Sequence, residues 1–188
     1  MPTLIDLFCG QGGWSRPARA AGWKCIGYDI ADLGYPGELV IRSLPIGVEE
    51  LMMRSPDLVV ASPPCDEYAR RHLPWIARQG PIDERLLRWS IGLCGRVNCP
   101  VIVECSRFSA REVPGARLVG SYALWGDVPI IMPQVPGEKE RRSGTNAARR
   151  ARIPDSLAGW IIEVRERSLE RLHFALKGDR KELRIWNG

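Results

Sequence analysis

Two side chains in this sequence have the type and spacing for nucleophilic chemistry assisted by an acid. Cys65 closes the run Ala61-Ser62-Pro63-Pro64-Cys65, and Glu104 ends the apolar run Val101-Ile102-Val103, 39 residues further on. Two successive prolines restrict the backbone and hold the following side chain in a fixed direction. A cysteine placed there is a candidate nucleophile if its surroundings favour the thiolate over a thiol whose ordinary pKa is about 8.5. The alternative is a small, inert hydrophobe. An acid at the end of an apolar strand is costly to bury without a partner. Beside a nucleophile, Glu104 could be a carboxyl with a raised pKa, suited to giving a proton or a hydrogen bond. Otherwise it is a salt-bridged or loop-exposed glutamate.

A second group has the composition of a ligand cradle. Phe8-Cys9-Gly10-Gln11-Gly12-Gly13 follows the apolar run Thr3 to Phe8. Glycines there permit positive φ and close approach of backbone to a ligand, although a strand-to-helix bend alone also uses them. No Lys-Ser or Lys-Thr follows, which excludes the phosphate-binding Walker pattern. Asp29 stands about twenty residues beyond the first strand, where an acid either accepts hydrogen bonds from a ribose diol or caps the next turn.

Strands and helices must alternate to bring these groups together. The sequence predicts strands over Thr3 to Phe8, Lys24 to Asp29, Asp57 to Ala61, Pro100 to Glu104 and Ser121 to Trp125. Helices are predicted over Trp14 to Ala21, Val48 to Arg54 and Asp83 to Val97, the last from apolar residues at 86, 87, 91, 93, 94 and 97. Val128 to Gly144 reads as loop, Pro154 to Leu176 as a helix stopped by Gly178, and Glu182 to Trp186 as a closing strand. Such alternation implies an α/β fold, one domain over 1–188 with a mostly parallel sheet and helices on both faces. In such sheets ligands bind outside the carboxyl ends of the strands, which is where the candidate residues fall.

Taken together these motifs resemble the cytosine-5 DNA methyltransferases. Asp6-Leu7-Phe8-Cys9-Gly10-Gln11-Gly12-Gly13 is similar to that family's D-L-F-x-G-x-G-G, and Ala61 to Cys65 resembles its Pro-Cys nucleophile loop. Val103-Glu104-Cys105 stands where the family has E-N-V. The resemblance covers roughly residues 3–107. A softer likeness, to short phage-encoded relatives, rests on Cys65-x-Glu67-Tyr68-x-Arg70, Leu73-Pro74-Trp75, Leu124-Trp125-Gly126 and Arg152-Ile153-Pro154.

The resemblance implies a Rossmann-like domain that uses S-adenosyl-L-methionine and methylates C5 of cytosine in double- or single-stranded DNA. Cys65 would attack C6 and Glu104 would bind and protonate N3. Asp6, Phe8, Cys9, Gly10, Gln11, Gly12, Gly13, Asp29, Ile30, Ser62 and Pro63 would form the cofactor site. The same chemistry on RNA or a free cytidine nucleotide, and a non-catalytic nucleic-acid-binding relative, are the alternatives. The sequence departs from the family at Cys105, which replaces the asparagine that steadies the nucleophile loop. It departs again at Ile41-Arg42-Ser43-Leu44, which offers no carboxylate. At 188 residues it leaves no room for the family's target-recognition domain, so target choice is expected from short loops, a partner protein or an oligomer.

Composition bounds the rest. The chain is 45% hydrophobic and 26% charged, an ordinary globular balance, with a formal net charge of +5. Residues 1–136 carry 14 basic and 14 acidic side chains; residues 137–188 carry 13 and 8. The excess therefore lies in the last quarter, where Arg149, Arg150 and Arg152 are candidates for contacts to a polyanion. No apolar run is long enough to span a membrane. The six cysteines contain no C-x-x-C pair, which argues against a zinc site or a secreted disulfide scaffold. Reduced thiols in the cytoplasm of a bacterial or phage-infected cell are expected.

Overall fold

A computed structural model describes residues 1–70, 82–133 and 153–185. Its centre is a seven-stranded sheet of β1 (Thr3–Leu7), β2 (Lys24–Asp29), β3 (Glu38–Ile41), β4 (Leu58–Ala61), β5 (Val101–Ser106), β6 (Arg117–Val119) and β7 (Tyr122–Gly126). The spatial order is β3-β2-β1-β4-β5-β7-β6. The first five strands pair in parallel, with Ile5 opposite both Ile26 and Val59 and Val59 in turn opposite Val101. β7 joins β5 antiparallel, Glu104 opposite Leu124, and β6 closes the edge against β7. The mostly parallel, Rossmann-like α/β fold expected from the sequence is the fold observed.

Both faces of the sheet are covered, which is why its central strands read as unbroken apolar runs. Ile5, Leu7, Val59, Ala61, Val101 and Val103 point to one face, where α2 (Val48–Met52) supplies Leu51 and α4 (Arg85–Ile91) supplies Leu87. Their neighbours Leu4, Leu58, Val60 and Ile102 point to the other. There α1 (Ser15–Ala20) packs Ala18, and α5 (Asp155–Ile185) packs Leu157, Ala158, Ile161 and Ile162. The period-2 alternation of strand side chains divides one hydrophobic sequence between two cores. Pro17 lies within the first turn of α1, where a missing N–H costs no helical bond, and Gly22 follows the helix at φ +85°.

Several expected boundaries move. The helix expected over 83–97 runs only from Arg85 to Ile91. Asp83 accepts the Arg85 N–H at its start, and beyond Gly92 the chain turns through Leu93 N–H to Ser90 O and Cys94 N–H to Ile91 O bonds towards Gly95 at φ +75°. Leu93 and Val97 are buried from these turns, so their spacing mimicked a helix. At the other end, Gly178 does not stop α5, and residues 182–185 continue it instead of forming a strand. One interior glycine costs a helix only about 1 kcal/mol, and the Lys, Glu, Leu and Arg residues that follow are good helix formers. Two short strands, β3 and β6, and the five-residue helix α3 (Asp66–Arg70) were not foreseen. The motif Leu73-Pro74-Trp75, Trp186 of the expected closing strand, most of the 128–144 loop and Arg149, Arg150 and Arg152 lie outside the described residues.

Candidate active site

β2, β1, β4 and β5 are successive neighbours in the sheet and run in the same direction. Their carboxyl ends therefore form one edge, which collects the glycine turn, Asp29, the Ser62–Cys65 loop and Glu104.

The turn after β1 begins with Phe8 at φ +58°, a conformation uncommon for a residue with a Cβ. Strain of this kind persists only where the surroundings hold it. Here the Phe8 ring meets Trp89 of α4 edge-on at 6.3 Å between centroids, and the N–H of Cys9 donates to Tyr28 O. Gly10 follows at φ +49° and donates its N–H to Asp29 Oδ2 at 2.8 Å. The other Asp29 oxygen accepts the Ile30 N–H at 2.7 Å. Asp29 thus clamps the glycine turn, and a carboxylate with about four lone-pair sites keeps acceptor capacity beyond these two bonds. Ile30, next to it, is 73% exposed.

Gly10 has open space on its side-chain face, whereas Gly12 does not: a Cβ there would lie 2.5 Å from Pro36 Cδ. Gly27 on β2 is equally tight, since a Cβ would meet Cys9 Sγ and the Tyr35 ring, each at 2.6 Å. The segment Tyr35-Pro36 therefore folds back over the turn and fills those two notches, leaving the Gly10 side open. Tyr35 also donates its hydroxyl to Ser15 Oγ at 2.6 Å, and Ser15 donates to Asp6 Oδ2 at 2.7 Å. Asp6 is buried on β1. Burial pushes its carboxyl up to about 7; the Ser15 hydrogen bond opposes this and the nearby Asp29 charge adds to it.

The loop after β4 is tied to β1 and to the start of α1. Ser62 donates its N–H to Leu7 O at 3.1 Å. Its Oγ accepts the indole N–H of Trp14 at 3.0 Å, and Trp14 is only 1% exposed. Pro63 is buried, Pro64 exposed and Cys65 half-buried at the entry to α3. The Cys105 thiol, buried on β5, makes a hydrogen-bonding contact with the Cys65 side chain. That contact, followed by burial, pushes the Cys105 thiol far up. Cys105 thus touches the Cys65 loop from the position at which the resembled family carries its asparagine.

Glu104, 7% exposed, lies beside Cys105 on β5. The Tyr122 phenol of β7 is pushed up to about 12, first by burial and then by the negative charges of Glu104 and Cys65. One phenol therefore senses both charges. Tyr68, from α3, buries a hydroxyl with no hydrogen-bond partner among the described residues.

Three participants were not read from the sequence as parts of the site. Trp14 was legible only as a helix residue, although a buried indole N–H must find an acceptor. Tyr35 had no local signal, because its place depends on notches made by glycines on other segments. Tyr122 enters through the antiparallel β7. Among the described residues no group of three or more His, Cys, Asp or Glu is gathered to hold a metal ion. No helix among them is long and apolar enough to cross a membrane.

No family profile matches the chain. It is similar to the Type II methyltransferase M.AplI of Arthrospira platensis, with 34% identity over 90 residues, covering 44% of this chain and 24% of that protein. The chain thus spans about a quarter of that relative's length. The likeness to a methyltransferase expected from the motifs is found in this match. Among solved structures, a DNMT2 mutant from Spodoptera frugiperda gives 17% identity and a TM-score of 0.41 over 57% of this chain and 36% of that one. The methyltransferase EhMeth from Entamoeba histolytica gives 15% and 0.45 over 59% and 40%. At these scores neither structure adds to the reading of the site.

Proposed function

We propose that this chain transfers a methyl group from S-adenosyl-L-methionine to C5 of cytosine in DNA, through a covalent adduct at Cys65. The observation that carries this reading is that the Cys65 loop and Glu104 belong to neighbouring parallel strands, β4 and β5, at the end of the sheet that also holds the glycine turn. A nucleophile, an acid and a ligand cradle on three neighbouring strand ends are what a two-substrate group transfer needs.

The donor set fits the cofactor. Gly10 keeps an open backbone face, Asp29 retains acceptor capacity for a ribose diol, and Ile30 offers an exposed apolar side chain beside it. Asp6, Phe8, Cys9, Gln11, Gly12 and Gly13 would shape the rest of the cofactor site, with Ser62 and Pro63 contributing from the loop after β4. The bound cofactor would supply a methyl group made electrophilic by its sulfonium.

On the substrate side, the Cys65 thiolate adds to C6 and the C5–C6 π pair is displaced into the ring. Glu104, giving a proton or hydrogen bond to N3, keeps negative charge from accumulating there. C5 becomes nucleophilic and takes up the methyl carbon. Loss of the C5 proton to a base then expels the Cys65 thiolate and restores aromaticity. In a duplex the base must first leave the stack, at a cost of a few kcal/mol that protein contacts offset. Arg149, Arg150 and Arg152 would supply part of that grip from the basic end of the chain.

Transfer of tritium from labelled S-adenosylmethionine to unmodified DNA, followed by sequencing of C5-methylated positions, tests the reading. Wild type should label cytosine, and Cys65→Ala should abolish labelling. Full activity in Cys65→Ala, or label on RNA or free cytidine but not on DNA, would refute it.

A further inference from the structure

Cys105 stands one residue beyond the proposed acid, and the methyl-transfer reading gives its sulfur no chemistry. Three observations place it beside Cys65. β4 and β5 pair in parallel with Ala61 opposite Val103, so the segments that follow leave the sheet side by side. Cys65 packs against the apolar cluster to which Cys105 belongs. The two side chains are in hydrogen-bonding contact. The pair is also asymmetric: Cys65 is half-buried on a loop, whereas Cys105 is sealed in a strand beneath it, 1% exposed.

We propose that Cys65 and Cys105 form an oxidation site, in which the more accessible sulfur attacks a peroxide and the buried one resolves the product as a disulfide. The Cys65 thiolate takes an oxygen atom from hydrogen peroxide, giving a sulfenic acid and hydroxide. The Cys105 sulfur then displaces the hydroxyl of that sulfenic acid. A sulfur–sulfur bond forms, the Cys105 proton leaves with the hydroxyl as water, and overall two thiols are oxidised while one peroxide is reduced to two waters. Exposure decides the order of attack, because susceptibility follows access and thiolate character. A resolving thiol in contact intercepts the sulfenic acid before further peroxide carries it irreversibly to sulfinic acid. Bond formation needs the sulfurs to close to about 2.05 Å, a movement the loop bearing Cys65 can make while β5 stays paired. Cys9 and Cys25 are buried, and burial raises the thiols of Cys94 and Cys99.

If Cys65 is the methyl-transfer nucleophile, the disulfide removes it and makes activity reversible by thiols. That consequence rests on the functional reading; the cross-link does not. The test treats folded chain, without DNA or cofactor, with low-millimolar hydrogen peroxide, blocks remaining thiols with N-ethylmaleimide, and maps peptides by non-reducing mass spectrometry. A peptide pair joined through Cys65 and Cys105 should appear in most of the protein and vanish on adding dithiothreitol. In Cys105→Ser and Cys105→Asn, checked for native circular dichroism, the pair should be absent and Cys65 should accumulate sulfinic acid severalfold faster. Wild-type Cys65 passing to sulfinic acid without the cross-link, or pairing with a different cysteine, would overturn the proposal. A cross-linked protein that never methylates cytosine would overturn the functional reading alone.

Discussion

Asp6 carries an ionisation consequence that a solution measurement can isolate. Its carboxyl is raised from an ordinary 3.8 to about 7 by burial. Between these two pH values the folded chain holds a proton that the unfolded chain has released. Stability contributed by this group is therefore greatest below about pH 4, falls as pH rises to about 7, and is level above that. The slope should reach at most about 1.4 kcal/mol per pH unit. Urea unfolding at a series of pH values should show this decline in wild type and lose it in Asp6→Asn; identical profiles would contradict the assignment. The residue types at the site were legible because each carries chemistry on its own: a cysteine after two prolines, an acid ending an apolar strand, glycines in a turn. Their partners were not, since nothing local to Asp6 names Ser15 as the group that bonds it or Tyr35 as the next in line.

The elements that matter most are the turn after β1 and the loop after β4, and a single side chain joins them. Trp14 bonds Ser62 across 48 residues of sequence. Trp14→Phe keeps most of the buried ring and removes only the donor, worth about 1 kcal/mol for a neutral hydrogen bond. We expect kcat for methyl transfer to fall roughly fivefold, the rate equivalent of that energy, with KM for the cofactor little changed. An equal loss in both, or none, would deny Trp14 a positioning role. Gly12→Ala should act on stability, because it sets a Cβ against Pro36 at a residue with φ +76°. A cost of about 1–3 kcal/mol is expected from such strain, visible as a Tm lower by several degrees. Strand positions were readable because buried parallel strands are short apolar runs between turn residues. The helix over 85–91 was overextended because apolar residues in the turns beyond it fell at helical spacing. β3 and β6 escaped because they are edge strands of four and three residues with mixed exposure.

For the molecule as a whole, charge and sheet topology divide the work. The first 136 residues are neutral overall and contain the candidate catalytic edge, while the basic excess lies beyond them. If that excess grips phosphates, replacing Arg149, Arg150 and Arg152 together by alanine should weaken DNA binding at low salt and flatten the dependence of log affinity on log salt by about 2–3. An unchanged slope would move the grip elsewhere. The parallel sheet converts residues 10, 29, 65 and 104, far apart in sequence, into one edge, and this long-range convergence was inferable from the strand–helix alternation alone. The direct test of the central claim is adduct trapping on DNA containing 5-fluorocytosine in the presence of S-adenosylmethionine. Fluorine replaces the proton that must leave C5, so the thiolate cannot depart. Wild type should yield a protein–DNA species that survives denaturation and maps to the Cys65 peptide. Methyl transfer to normal DNA with no such species, or an adduct that persists in Cys65→Ala, would contradict covalent catalysis by Cys65.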